Sequence, residues 1–451
     1  MTKNNTLKAN MLDGNIFQSI VMFAIPILFS SIFQQLYNTM DTIIVGHTLG
    51  ENALAAVGAA SPIYSLLMGF ALGIGSGVSI VTARCFGAKN EEKVKSSVAA
   101  AIFIGIAVSL LMTVVSLLLL LPFLKLLNTP AEILDNAFEY ASTIMLFMGI
   151  TFAYNMCSGI LRAIGNSVMP LIFLMISSVL NIFLDFFFIL VLKTGVQGAA
   201  LATVLSQAVS VILCLIYIIK RVTILVPSNH HFRFDKGLYS EMLTQGISMA
   251  MMHCFVAAGS TILQAGINGL GSLVIAGHTA AQKMFSLGML PFSAMISATS
   301  TFVSQNYGAR NIDRIRKGMK YSYLYNIAAT SLITLIFWSF GPQLVQLISG
   351  SKETVIIQNG TNYLRVLAPS YFILGLVNNT RSALQAIGSK ILPIFSSIIE
   401  LIGKILFLII FIPKFQYNAV IFCEPVIWCF MAAELLLAFW TNPKIRKNEM
   451  I

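Results

Sequence analysis

Long apolar runs constrain this chain more than any other feature of its sequence. Each run is long enough to cross the hydrocarbon core of a bilayer, and a helix satisfies its own backbone hydrogen bonds where no water is available. Because only 10% of the residues are charged, the chain cannot cover a globular surface with polar groups. The sequence therefore predicts an all-α integral membrane protein with twelve transmembrane helices. The runs lie near residues 16–46, 53–83, 97–121, 136–160, 168–192, 197–219, 240–267, 272–304, 321–348, 355–380, 391–412 and 417–440.

The distribution of lysine and arginine predicts the orientation of these helices. Of the 28 basic residues, 21 fall in the two tails and in loops on the same side as the tails, and four fall on the opposite side. The remaining three, Lys283, Arg365 and Lys404, lie within apolar runs. Cytoplasmic loops carry an excess of positive charge. We therefore expect a multi-pass protein of the cell (plasma) membrane with cytoplasmic N and C termini, and no nucleic-acid partner for the net charge of +11.

Two polar motifs occur twice in the chain. FGAKNEEKVK at 86–95 is matched by YGARNIDRIR at 307–316, and LRAIGNSVMP at 161–170 is matched by LQAIGSKILP at 384–393. The first motif follows the second run of each half, and the second motif follows the fourth run. The sequence therefore predicts two parallel six-helix repeats.

The predicted domains are residues 1–220, a cytoplasmic linker at 221–239, and residues 240–451. Parallel repeats related by an axis along the membrane normal are typical of transporters that bind substrate near the middle of the membrane. Channels and some membrane enzymes also contain repeats, and a duplication retained only for stability is a further alternative.

Polar side chains occupy three runs of the first half at helical spacing. Residues three or four positions apart share one helical face. Ionisable groups inside a membrane are costly and mark ion or substrate pathways. We therefore expect a polar cavity in this half. Its candidate residues are Gln34, Tyr37, Asn38 and Asp41 in the first run, Asn181 and Asp185 in the fifth, and Thr203 and Gln207 in the sixth.

Two carboxylates beside neutral oxygens suit a proton or a small hard cation. Burial disfavours the ionised carboxyl, so Asp41 could carry a proton at physiological pH. Alternatively, Asp41, Asn181, Asp185 and Thr203 are oxygen ligands of the kind that could hold Na⁺. The same anionic pocket would attract a cationic substrate. The structural alternative is that each aspartate only caps or pins neighbouring helices.

The second half carries a different set of charges. Glu400 and Lys404 are four residues apart, and we interpret them as a structural ion pair, with a coupling role as the alternative. Glu424 and Glu434 are left without an assigned role. Further candidates for the wall of a substrate cavity are His253, His278, Gln282, Lys283 and Arg365.

The sequence contains no pattern typical of an enzyme or of a cofactor site. No HExxH, GxGD or CxxC spacing occurs, and GFALGIGSGVS at 69–79 lies within a run, where it favours close packing of helices. His230 and His231 in the linker have no third metal ligand near them in the sequence, so a solvated loop is expected there. We expect no cofactor other than a coupling ion.

The ordered motifs resemble the multidrug and toxic compound extrusion (MATE) family. The resemblance rests on Pro26, YNTMDTIIVG at 37–46, FGAKN at 86–90, LRAIGNSVMP at 161–170 and NIFLD at 181–185, and it covers essentially the whole chain. It implies two six-helix lobes arranged in a V and export of small, cationic amphipathic molecules in exchange for H⁺ or Na⁺. Membrane lipid is the other expected partner, and the chain is expected to be a monomer.

Within the family, the chain is similar to the DinF-like branch. That similarity implies a coupling site at Asp41, Asn181, Asp185 and Thr203, and a bend of the first helix at Pro26. The NorM-like branch has carboxylates in its seventh and tenth spans, and this chain lacks acids at the interiors of those spans. A flippase for lipid-linked oligosaccharides or lipids, from the same superfamily, is the alternative function; its basic cavity would require Lys283 and Arg365.

Overall fold

The structure, a computed structural model, describes residues 10–127 and 129–446. Both predicted cytoplasmic termini lie outside these residues. Within the described ranges the chain is helical almost throughout and contains no strand.

The first half contains seven α-helices. Helices α4 and α5 meet at an angle of 48° and together form one bent segment. A π-helical turn at Phe187–Val191 extends α6. Consequently, six helical segments account for this half. Their bounds are α1 Ile16–Leu49, α2 Glu51–Gly87, α3 Glu91–Leu126, α4 Ala131–Leu146, α5 Met148–Ala163, α6 Val168–Phe186 and α7 Gly195–Arg221.

The second half repeats this pattern after the linker, which contains 3₁₀ turns at Thr223–Leu225 and Asn229–Phe232. A π-helical turn at Phe407–Phe411 again extends the fifth segment. The helices are α8 Lys236–Asn268, α9 Ser272–Gly288, α10 Leu290–Gly308, α11 Ile312–Ser349, α12 Thr354–Ala386, α13 Ile391–Leu406, α14 Ile412–Phe415, α15 Tyr417–Trp440 and α16 Pro443–Arg446.

The helical segments agree with the predicted all-α membrane architecture. Among the described residues, ten segments are long and apolar enough to cross a bilayer, and the bent pair α4–α5 makes eleven. Segment α12, which corresponds to the tenth predicted span, is not among them. It carries polar side chains along its length, and Asn379, Thr380 and Arg381 near its end are buried in protein.

The first repeated motif forms the same turn in both halves. Lys89 and Arg310, 221 positions apart, both adopt a positive φ, of 55° and 59°. The amide of Ala88 donates to Arg84 O at 2.9 Å, and Ala309 makes the matching bond to Gln305 O, also at 2.9 Å. The repeat is therefore present in the backbone as well as in the sequence.

The second repeated motif also forms one turn twice. Gly165 and Gly388 have φ values of 89° and 83°, in the left-handed region that favours glycine. The amides that follow, Asn166 and Ser389, donate to Leu161 O and Leu384 O at 3.0 and 2.9 Å. This conformation explains why both copies read AIG at the end of a helix.

The chain folds into two compact units. One contains Ile25–Ala250, and the other contains Met11–Ala24 together with residues 251–446. Helices α1 and α8 therefore each contribute to both units. The sequence repeat divides the chain at the linker, 221–239, whereas the compact units divide after Ala250 because the start of α8 packs on α2.

Glycines bring α2 and α8 into backbone contact within the first unit. A Cβ atom on Gly77 would lie 2.4 Å from Gly246 Cα, and one on Gly73 would lie 2.5 Å from Ala250 Cα. Only glycine at these two positions of α2 permits this approach. The prediction that GFALGIGSGVS serves helix packing is confirmed.

We expect Gly77→Ala to lower the thermal stability of the purified protein. The added methyl group meets backbone atoms that cannot rotate away, and overpacking of this kind costs about 1–3 kcal/mol. Gly75→Ala is the matched control, since a Cβ there meets nothing within 4 Å. The measurement is the unfolding midpoint in detergent; equal midpoints for the two variants would contradict the close contact.

Candidate functional site

Two aspartates from separate helices of the first unit form the centre of the candidate site. Asp41 lies on α1 and is 9% exposed, and Asp185 lies near the end of α6 and is fully buried. An apolar cluster continues from the next turn of α1 to the start of α7 and includes Ile44, Val45 and Val196. The carboxyl groups therefore lie beside an apolar cluster, where burying an unpaired charge costs free energy.

The two carboxyl groups lie close enough to interact directly with each other. One oxygen of each, Asp41 Oδ1 and Asp185 Oδ1, is buried and has no hydrogen-bond partner. Two carboxylates this close repel each other when both are ionised, so one of them must be protonated or a cation must lie between them.

Neutral polar groups complete the site. With its amide oriented to satisfy its neighbours, Asn181 donates to Asp185 Oδ2 at 3.1 Å and accepts from Thr203 N at 3.3 Å. Tyr37 Oη donates to Thr203 Oγ1 at 3.1 Å. The structure thus brings together Tyr37, Asp41, Asn181, Asp185 and Thr203 from α1, α6 and α7.

Two tyrosines that the sequence analysis did not single out also approach Asp41. Tyr64 on α2 and Tyr140 on α4 both interact electrostatically with its carboxyl. Tyr64 has no acidic or amide residue three or four positions away, and Tyr140 has Asn136 four positions before it. The main signal was that both are polar aromatic residues within apolar runs. Their hydroxyls add dipoles around the carboxyl pair.

Among the described hydrogen bonds, none joins the remaining candidates of the first half to this centre. Gln34 and Asn38 are exposed on α1. Gln207 is half-buried on α7 and accepts a hydrogen bond from Thr151 Oγ1 on α5. Pro26 lies inside α1, which is helical on both sides of it.

The second unit contains a cavity of about 340 Å³ with charged walls. Helices α8, α9, α12, α13 and α15 contribute to it. Its four charged residues are Arg381, Glu400, Lys404 and Glu424. At neutral pH their formal charges balance, so the cavity offers groups of both signs.

Lys404 lies between two glutamates. Its Nζ is 2.9 Å from Glu400 Oε1 and 3.5 Å from Glu424 Oε1, and its side chain is only 2% exposed. Tyr363 donates to Glu424 Oε2 at 3.2 Å. The sequence suggested a self-contained pair of Glu400 and Lys404, and the structure extends it to a three-residue cluster on the cavity wall.

The other second-half candidates divide into two groups. His278 and Gln282 line the cavity, and Gln282 donates to Tyr363 Oη at 2.8 Å. His253, Lys283 and Arg365 are exposed and do not belong to the described lining. The basic residues that a flippase would require therefore lie outside this cavity.

Two helical repeats, many apolar spans and buried carboxyl groups are the features of a membrane transporter. The sequence pattern of the MatE family matches this chain twice, at residues 26–187 and 248–410. The chain belongs to the MatE family of transporters, which fits the expectation that it is not an enzyme.

Individual relatives agree with this assignment. The chain is 27% identical to the probable multidrug resistance protein YoeA of Bacillus subtilis, over 86% of this chain and 85% of that protein. It is 22% identical to the multidrug export protein MepA of Staphylococcus saprophyticus, over 94% and 92% of the two chains. A solved MATE structure in the bent conformation superposes with a TM-score of 0.88 at 25% identity, over 98% of both chains.

We expect Lys404→Met to destabilise the protein strongly. The substitution leaves Glu400 and Glu424 facing each other without their shared cation, and breaking a buried ion pair costs about 3–5 kcal/mol. The unfolding midpoint in detergent measures the loss. Lys283→Met, at an exposed lysine of α9, is the control. An unchanged midpoint for Lys404→Met would show that the glutamates do not depend on Lys404.

Proposed function

We propose that this protein is a secondary active multidrug efflux transporter that exports organic cations in exchange for H⁺ or Na⁺. The proposal rests on the contact between Asp41 and Asp185, which forms a buried group able to hold one positive charge. The names of the relatives, a multidrug resistance protein and a multidrug export protein, support the substrate class.

In this mechanism, the carboxyl pair alternates between two occupants. An entering ion neutralises the aspartates, and departure of that ion restores a negative charge that attracts a cationic substrate. The two unpartnered oxygens, Asp41 Oδ1 and Asp185 Oδ1, are the atoms available to an incoming ion. Since both occupants depend on the same charge, their binding is mutually exclusive, which is the requirement for antiport.

The hydrogen bonds around the pair favour H⁺ as the coupling ion. A shared proton satisfies the contact between the two carboxyls without any rearrangement. Na⁺ would need several oxygen ligands. Asn181 O and Thr203 Oγ1 already accept hydrogen bonds from Thr203 N and Tyr37 Oη.

The second half supports substrate binding in a different way. Lys404 and Arg381 together balance the formal charges of Glu400 and Glu424, so we assign this cluster to the wall of a binding cavity and not to ion exchange. The flexible and aromatic side chains Phe285, Met289 and Trp428 beside it suit ligands of varied shape.

The remaining assignments complete the proposal. Pro26 interrupts the hydrogen-bond ladder of α1 and provides a position at which this helix can bend. We place the protein in the cell membrane with both termini in the cytoplasm, as the distribution of basic residues predicts. We propose that it acts as a monomer and that it belongs to the DinF-like branch.

Asp41→Asn should abolish efflux of a cationic dye such as ethidium from cells that express the protein. The amide has nearly the shape of a protonated carboxyl, but it cannot release a proton or take up a charge. The measurement is dye efflux, with protein in the membrane quantified in parallel. Asp185→Asn should have the same effect.

Asp135→Asn is the matched control, because Asp135 is an exposed acid on α4 outside the site. It should transport like the parent protein. Undiminished efflux by Asp41→Asn, at equal protein levels, would remove Asp41 from the coupling site.

The coupling ion can be determined in proteoliposomes with an imposed gradient. We expect a proton gradient to drive dye transport equally well when Na⁺ is replaced by K⁺ on both sides. A Na⁺ gradient at equal pH should drive none. Transport that follows the Na⁺ gradient alone would assign Na⁺ to the carboxyl pair and contradict the assignment of a proton.

A further inference from the structure

The linker of the first unit brings two adjacent histidines to the start of α3. His230 and His231 lie in the 3₁₀ turn Asn229–Phe232, and Glu92 lies in the first turn of α3. A solvated loop is predicted here from the sequence because no third ligand is near in the chain. The prediction of no metal ligand set is wrong, since the fold supplies Glu92 from 138 positions away.

The ligand atoms of the three residues converge. Glu92 Oε2 lies 3.2 Å from His230 Nε2 and 3.0 Å from His231 Nε2, and all three ligand atoms are within 4.8 Å of one another. Ligand atoms about 2.1 Å from a tetrahedral ion lie about 3.4 Å apart. The two separations from Glu92 are thus close to those between the ligand atoms of a tetrahedral site.

The orientation of His231 is the observation that points to a ligand. Its side chain is only 1% exposed, and its Nε2 has no hydrogen-bond partner although Glu92 Oε2 is near. The N–H of this ring therefore does not point at the carboxylate. A buried nitrogen close to a carboxylate, but misaligned for a hydrogen bond, is in the position of a metal ligand.

Ser228 lies within hydrogen-bonding distance of the second ring nitrogen of His231. Without an ion, Ser228 N donates to His231 Nδ1 at 3.0 Å, which leaves the ring proton on Nε2, and Ser228 O lies 3.3 Å from the same Nδ1. Coordination of an ion by Nε2 would move the ring proton to Nδ1, which would then donate it to Ser228 O in place of the bond from Ser228 N. Metal-bound histidines commonly make this second bond to a carbonyl.

We propose that Glu92, His230 and His231 form a site for a divalent transition-metal ion of the Zn²⁺ type. Two imidazoles and one carboxylate are a ligand set that Zn²⁺ accepts, with water completing the tetrahedron. His230 and Glu92 are 61% and 70% exposed, so the open side of the site faces solvent and an ion can enter.

Neighbouring contacts hold the three ligands near these positions. Phe232, next to His231, packs edge-to-face on Phe103 of α3 with ring centroids 5.7 Å apart. Glu91 pairs with Lys95 at 2.8 Å, which leaves Glu92 as the acid that faces the histidines. The ion would therefore bind a site that is largely preformed.

The bound ion would fasten the linker to the start of α3. A contact at the related place in the second unit supports this role, because Arg316 near the start of α11 binds the carbonyls of Ile445 and Arg446 in the segment after α15. In each half, the segment that follows the sixth span is thus held by the first turns of the third span. The first half would use a metal ion where the second uses arginine.

Co²⁺ provides the direct test, because its visible absorption reports the ligands and the geometry. The full-length protein is purified in detergent, its affinity tag is removed, and it is titrated with Co²⁺ and then with Zn²⁺ as competitor. We expect one equivalent of Co²⁺ to bind with a tetrahedral spectrum, and Zn²⁺ to displace it. Zn²⁺ should also raise the unfolding midpoint of the parent protein.

Variants decide which residues bind the ion. His231→Ala and Glu92→Gln should each weaken Co²⁺ binding at least tenfold, and Glu92→Gln/His230→Ala/His231→Ala should abolish it. Glu91→Gln, on the same turn, and His47→Ala, an exposed histidine on α1, are the controls and should bind like the parent. Size-exclusion profiles and dye transport verify that the variants fold.

Two outcomes would overturn the proposal. One is a parent protein that shows no saturable Co²⁺ binding. The other is a triple variant that binds Co²⁺ as tightly as the parent, which would place the ion elsewhere. Neither outcome bears on the coupling role of Asp41, which lies on α1.

Discussion

Every backbone N–H and C=O group within the membrane needs a hydrogen-bond partner inside the protein, and the rest of the structure depends on this constraint. Because lipid offers no partner to a peptide group, the spanning segments must be helical. The turns at Lys89 and Arg310, and at Gly165 and Gly388, end these helices with matching bonds back to helix carbonyls. The two halves can therefore differ widely in side chains while they retain one backbone plan.

The two halves balance the charge of their buried carboxyl groups in different ways. In the first, Asp41 and Asp185 lie together with no basic partner among the described residues, so a proton or a bound cation would have to balance their charge. In the second, Lys404 lies between Glu400 and Glu424, and Arg381 in the same cavity completes the balance of formal charge. A carboxyl pair that needs a cation from outside the protein can exchange one cation for another. A cluster whose charges are balanced by the protein's own side chains can instead recognise the shape and polarity of a ligand. In the proposed mechanism, this asymmetry assigns ion exchange to the first half and substrate binding to the second.

Most of the fold and part of the candidate site could be predicted from the sequence. Run length and the basic loops predicted the helices and their order, and the spacing of Asn181 and Asp185 indicated a shared face. Tyr64 and Tyr140 were not found, since a helical period reports neighbours on one helix and not across helices. Glu92 was missed as a partner of the linker histidines for the same reason. Glu424 was ambiguous until its distance to Lys404 was known.

The sequence by itself determined the class of protein, the helical segments and the repeat, because hydrophobicity and turn chemistry are local properties. Which polar groups meet is a property of helix packing, and only the tertiary structure decided it. The approach of Asp41 to Asp185 and the sharing of Lys404 by two glutamates depend on the rotation and separation of helices. The contact of His231 with Glu92 depends on packing as well. The linker histidines are 138 or more positions from Glu92 in the chain and meet it only when helices and turns pack together.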